Sequence, residues 1–202
     1  MKNNSITNKE KNRELIKNSA LVIADQIVSS IQPLGIAWGL SKALFSNGLK
    51  LRQKRALEWV EMVRDNPNVF TKEVLEQESF QDGFVFALEK YIIERSEKKR
   101  IYFKKIFLGF AESDNKNEFE LERFFLILSQ LDENSIRNLG RVDIHTSNSY
   151  QIFDDTKAIE SIYALVNAGI LFVDPSARLG EIHSPFVYTT NFGRRFILYL
   201  SK

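Results

Sequence analysis

The chain has 202 residues, of which 44% are apolar, 12% aromatic and 27% charged. Those shares are ordinary for folded domains and exclude a fibrous or globally disordered chain. The length suits one compact domain or two small ones, and about 70% of the unfolded surface can be buried at this size. There is no cysteine, which excludes a disulfide framework and a cysteine-ligated metal and makes a reducing cytoplasm the expected location. The 28 basic and 26 acidic residues sum to +2, too little to imply nucleic acid by itself.

The small net charge conceals blocks. Residues 1–19 carry five bases and two acids, 20–49 only Asp25 and Lys42, and 50–64 five bases and two acids. Residues 65–97 hold eight acids and three bases, 98–105 five bases and no acid, and 106–133 seven acids and two bases. Alternation of this kind marks solvated helix faces that pair with one another. The densest basic group is Lys98, Lys99, Arg100, Lys104 and Lys105. Its alternative role is a contact surface for nucleic-acid backbone, anionic lipid or an acidic partner.

In chain order, residues 1–19 are asparagine-rich and charged and are expected to form a mobile polar tail. They lack the small-residue cleavage site of a secretory signal. Residues 20–131 are read as a helical domain, opening with an apolar helical hairpin over 20–49. Its first run is Leu21 to Ile31, its second Ile36 to Phe45, and Pro33-Leu34-Gly35 breaks the helix between them. The longest uncharged window, Gln26 to Ser41, is 16 residues, short of the ~20 apolar residues a spanning helix needs. Burial against protein, either this chain or a second copy, is the favoured fate of Ile27, Ile31, Leu34, Ile36, Trp38, Leu40, Leu44 and Phe45. Attachment at a membrane surface, on the cytoplasmic side of the inner membrane, is the alternative, since bases flank the segment.

Helical periodicity is clear from Leu49. Leu49, Ala56, Leu57, Val60 and Val63 share one face, and Asp65-Asn66-Pro67-Asn68 ends that helix. Thr71 is placed to cap a short acidic helix. Phe80, Phe84, Ala87, Leu88, Tyr91 and Ile92 follow at i, i+4, i+7, i+8, i+11 and i+12. Ser96 is placed to cap a helix burying Tyr102, Phe103, Ile106, Phe107 and Phe110. Phe119, Leu121, Phe124, Phe125 and Leu128 are expected to form the next buried stripe. The sixteen phenylalanines fall mostly on such stripes, as a packed aromatic core requires.

Residues 132–202 change character. Asp132 can cap a helix over Glu133 to Leu139, and Tyr150 to Phe153 has weak strand potential. A helix over Thr156 to Ala168, with Ile159, Ile162, Tyr163 and Val166 expected inward, stops at Gly169. Ile170 to Val173 and Phe186 to Tyr188 read as short strands around a turn or wing, and Thr190 can cap a last helix burying Phe192, Phe196, Ile197 and Leu200. The order helix, helix, strand, wing, strand, helix resembles the winged-helix family. So do Gly169-Ile170-Leu171 and Thr190-Asn191-Phe192-Gly193, which match its Gly-Ile-Leu and Thr-x-x-Gly pattern. The fold class expected is therefore mainly α: a helical N-terminal domain followed by a small winged-helix (α+β) C-terminal domain.

Winged-helix proteins usually set the motif's second helix in the major groove, where phosphate contacts dominate affinity. Here that helix is preceded by Asp154 and Asp155 and shows Lys157 and Glu160, and the wing offers Arg178 against Glu181. Arg194 and Arg195 remain as backbone contacts. Nucleic acid is thus a partner the sequence admits but does not favour.

A wider resemblance rests on the Pro/Gly-containing run Ile31 to Leu40 and the basic helix start Leu51-Arg52-Gln53-Lys54-Arg55. An aromatic helix, Ser96-Glu97-Lys98-Lys99-Arg100 and the run Phe124 to Asp132 complete it. Over most of residues 30–140 this order resembles the abortive-infection alpha family of bacterial proteins, which implies a link to phage resistance and supplies no catalytic residues to carry over.

Residues of catalytic type are sparse. The only histidines, His145 and His183, fall in expected loops, and Asp143-x-His145 has no further ligand at a usable spacing. There is no phosphate-binding Gly-rich loop before Lys-Ser/Thr and no Gly-x-Ser-x-Gly elbow. Glu73, Glu76, Glu78 and Asp82 sit on a polar face. No enzyme, cofactor, metal or small-molecule substrate is expected. Three functions stay open: an interaction or regulatory protein assembling through 20–49, a membrane-associated effector using that segment, and a winged-helix DNA-binding regulator.

Overall fold

The computed structural model describes residues 24–29, 31, 35, 38–39, 50–113, 117–139, 150–151, 156–173 and 186–201. The expected tail, most of the apolar hairpin, both histidines and the wing lie outside them. From Lys50 the elements are α1 (Lys50–Asp65), α2 (Lys72–Leu75), α3 (Glu78–Ile93), α4 (Glu97–Glu112), α5 (Glu118–Gln130) and α6 (Glu133–Leu139). They are followed by β1 (Tyr150–Gln151), α7 (Thr156–Asn167), β2 (Leu171–Val173), β3 (Phe186–Thr189) and α8 (Asn191–Ser201). The chain is mainly helical with one small antiparallel sheet. Its described residues form two compact units: those up to Arg95 with Ala111–Glu122, and Ser96–Phe110 with those from Arg123 on.

The helix starts are set by side-chain caps, each satisfying an amide that the helix leaves without a partner. The Thr71 hydroxyl accepts from Val74 N at 3.5 Å, Ser96 Oγ from Lys99 N at 3.3 Å and Asp132 Oδ1 from Ser135 N at 2.6 Å. The Asp132 carboxyl is held below its ordinary range, first by that amide. All three caps fall where the sequence placed them.

In the first unit α1 packs on α3. Phe80, Phe84, Ala87, Leu88, Tyr91 and Ile92 are all buried, as their spacing requires. On α1 the buried arc is wider than one stripe, adding Trp59 and Met62 to Ala56, Val60 and Val63. Trp59 and Tyr91 pack with ring centroids 4.9 Å apart, and the Tyr91 hydroxyl donates to Glu58 Oε2 at 3.0 Å. Buried Arg55 donates to the Ile92 carbonyl at 2.8 Å, covering one of the carbonyls that α3 leaves open at its end. In the described part of the apolar segment, residues 24–29 are helical, and Ala24, Ile27, Val28 and Trp38 are buried in the single chain. The Trp38 indole donates to Asp25 Oδ1 at 2.8 Å.

The second unit is built around aromatic rings. Phe103 stacks on Phe125 at 4.6 Å, and Phe124 meets Phe192, Phe196 and Tyr199 at 5.1, 5.1 and 5.3 Å. α6 packs on α7, and the sheet order is β1-β3-β2 with both pairings antiparallel.

Two expected core positions are exposed instead. Phe119 is 84% exposed, because it sits about 200° around α5 from Leu121, opposite the buried Leu121, Phe124, Phe125 and Leu128. Tyr163 is 49% exposed: α7 turns Ser161 and Leu165 inward instead, with Ile162 and Val166 half-buried. Tyr102 and Phe192, also expected inside, are partly exposed.

Candidate functional site

The α7–β2 and β3–α8 turns are tied to each other by one polar cluster. Gly169 takes φ +74°, the left-handed conformation open to a residue without Cβ. Gly169 N donates to Val166 O at 2.9 Å and Ile170 N to Leu165 O at 3.0 Å, a Schellman ending with Leu165 and Ile170 both buried beneath it. The Ile170 carbonyl then accepts from Thr190 N at 3.0 Å. Thr190 Oγ1 lies 2.7 Å from Gly169 O and 3.1 Å from Ile170 O, and accepts from Gly193 N at 2.8 Å. Gly193 is held so close that an added Cβ would stand 2.1 Å from Ile170 O. The Gly-Ile-Leu and Thr-x-x-Gly pattern is therefore a physical lock between two turns.

That lock fixes what the module shows to solvent. In the β2–β3 register Phe172 faces Tyr188, while Leu171 pairs with Thr189 and Val173 with Val187. Strand alternation puts Leu171 and Val187 on the buried face and Phe172 with Tyr188 on the outward one. Phe172 is 55% exposed and Tyr188 half-buried. Among the described side chains of α7, Glu160, Tyr163 and Asn167 are exposed, at i, i+3 and i+7. The described exposed side chains of α7 and β2 are thus aromatic, acidic or amide, with no Lys or Arg among them.

The basic residues singled out by sequence are spread over separate tasks. Lys98 pairs with Glu133 at 2.9 Å. Lys99 donates to Ser129 O at 2.9 Å and Lys105 to Leu200 O at 3.0 Å, placing each cation on a last-turn carbonyl, where the helix dipole favours it. Arg100, Lys104 and Arg194 are partly buried, and exposed Arg195 reaches back to Asn191 O at 3.5 Å. Of the apolar candidates, Ile27 and Trp38 are buried and Ile31 partly so, whereas Leu34, Ile36, Leu40, Leu44 and Phe45 lie outside the described residues. Glu73, Glu76, Glu78 and Asp82 are all exposed. Among the described residues no three His, Asp or Glu side chains gather for a metal, and no helix is long and apolar enough to cross a membrane.

Comparison with protein-family models, curated proteins and solved structures finds no match. The site therefore rests on geometry. Sequence reasoning missed Phe172 and Tyr163 as exposed residues. For Phe172 the available signal was strand alternation, which must send one of two adjacent apolar residues outward; for Tyr163, on a helix, there was no such signal.

Proposed function

We propose that the chain is a non-enzymatic interaction protein of a bacterial cell, whose residues 132–202 form a winged-helix module turned to protein docking. It serves as an accessory of a phage-defence system of abortive-infection type. The order β1-β3-β2, with a helix leading into β2 and another following β3, supports the winged-helix reading. The family resemblance of the central helices supports the phage-defence reading.

One observation carries the choice of protein over DNA. Among its described side chains, the helix that would enter a major groove presents Glu160, Tyr163 and Asn167, and the strand after it presents Phe172. Duplex DNA is held by cations neutralising phosphates, and these described side chains, a carboxylate and two aromatic rings among them, do not supply them. Exposed aromatics are the residues that protein interfaces bury and draw most affinity from. Self-association through the 20–49 segment belongs to the same proposal, with Ile27 and Trp38 already consumed within the chain.

The test is isolation of the intact chain from its native host with whatever accompanies it. A stoichiometric protein, lost with Tyr163→Asp plus Phe172→Asp while circular dichroism is unchanged, is the expected result. Co-purifying nucleic acid whose retention falls steeply with salt, and with Arg194→Glu and Arg195→Glu, would overturn the docking role. Equal phage plating on cells with and without the gene would overturn the defence role.

A further inference from the structure

The start of α4 and the helix α6 enclose a half-open hollow of about 140 Å³, lined by Lys98, Tyr102, Glu133, Ile136 and Arg137. At ~30 Å³ per water-sized group it holds a handful of atoms, well below the ~300–1,000 Å³ of sites that enclose whole small molecules. It fits a single functional group on a stem.

The chemistry of the walls says which group. Glu133 is already engaged: Lys98 Nζ donates to Oε2 at 2.9 Å and Ser96 Oγ to Oε1 at 3.4 Å. Lys98 keeps two further donors after that contact. Arg137 is exposed, and among the described residues it makes no hydrogen bond or ion pair, although its charge is felt at Glu133. The Tyr102 hydroxyl likewise has no hydrogen-bond partner among the described residues. Buried Ile136 adds an apolar wall. Two cations against one carboxylate leave +1, and the planar Arg fork matches two oxygens held side by side.

We propose that this hollow is a docking pocket for one carboxylate of a partner protein, an Asp or Glu side chain or a chain end. Arg137 takes its two oxygens, Lys98 and Tyr102 donate from the sides, and Ile136 packs on the carbon stem. A monoanion balances the +1, whereas a phosphate dianion overshoots it beside Glu133, and a phosphodiester brings a sugar on each side into a hollow of this size. The pocket lies on α4 and α6 and does not depend on the aromatic face of α7 and β2, so either assignment can fail without the other.

The experiment is an amide NMR titration of the full-length protein with propionate at constant ionic strength, with inorganic phosphate in parallel. Propionate is expected to give saturable shifts at residues 98–102 and 133–137. Arg137→Gln abolishes them, and Arg137→Lys restores them in part. Glu133→Gln lowers the half-saturation concentration roughly five-fold, the effect of deleting one unit charge ~4 Å away in water. No saturable shift with propionate, shifts that survive Arg137→Gln, or saturation by phosphate with none by propionate would each overturn the assignment. If Arg137→Gln unfolds the module, the direction of the Glu133→Gln change decides.

Discussion

Replacing Gly193 with alanine puts the turn lock under direct strain. The added Cβ would stand 2.1 Å from Ile170 O, 2.8 Å from its carbonyl carbon and 3.0 Å from its Cα. A relaxed C···O contact is about 3.3–3.6 Å, so backbone must separate from backbone by more than an ångström. No rotamer relieves it, and the separation breaks the 3.0 Å bond from Thr190 N to Ile170 O. Overpacking costs about 1–3 kcal/mol, the stranded buried polar groups about 1–3 kcal/mol, and alanine's better helix propensity returns about 0.5–1 kcal/mol. The net is about 2–4 kcal/mol, or a melting temperature lower by roughly 5–15 °C for a chain of this size. Gly169→Ala, strained at φ +74°, is expected to lose about 1–2 kcal/mol. Gly39→Ala, on exposed helical backbone where a Cβ meets nothing within 4 Å, is the control, expected to hold stability or gain up to about 1 kcal/mol. Urea and thermal melts by far-UV circular dichroism read the order. Gly193→Ala melting with Gly39→Ala would refute the lock.

Thr190→Ala removes the cap of α8 and its bridge to the α7–β2 turn, and should cost about 1–2 kcal/mol in urea melts. Phe124→Ala empties the centre of three ring contacts, and a loss of about 3–5 kcal/mol is expected by the same measurement. The folded Asp132 carboxyl has a depressed pKa, so its contribution is present above the unfolded carboxylate pKa and fades as pH falls through the folded one. Asp132→Asn should therefore flatten the acid limb of the stability–pH curve and leave the limb above pH ~7 parallel to wild type. Light scattering of the full-length protein at micromolar concentration is expected to give a mass above the 23.4 kDa of one chain. A mass equal to it would count against self-association.

Local chemistry made much of the fold legible. Caps at Thr71, Ser96, Asp132 and Thr190, the stop at Gly169 and the stripe from Phe80 to Ile92 depend on neighbours within one or two helical turns, so spacing alone locates them. Phe119 and Tyr163 failed because an aromatic near a stripe is easily drawn into it, while the true phase is set by what packs opposite. On α7, small Ser161 faces inward and the larger ring of Tyr163 outward, and the residues of α7 do not say which arc a neighbour covers. The basic stretch had its partners far along the chain: Ser129 for Lys99, Glu133 for Lys98 and Leu200 for Lys105. No local pattern distinguishes a lysine that caps a distant helix end from one that waits for an anion. The lock itself was visible as a pattern of letters, but its cause, the contact of Gly193 with the Ile170 carbonyl, needed three dimensions.

Photo-crosslinking in the native host tests the docking role most directly. p-Benzoylphenylalanine is placed at position 172 on the outward sheet face and, as control, at exposed position 89 on α3. The expected result is a discrete protein adduct from position 172 that is absent from position 89. Adducts to nucleic acid at 172, or the same background at both positions, would contradict a sheet face built to meet protein.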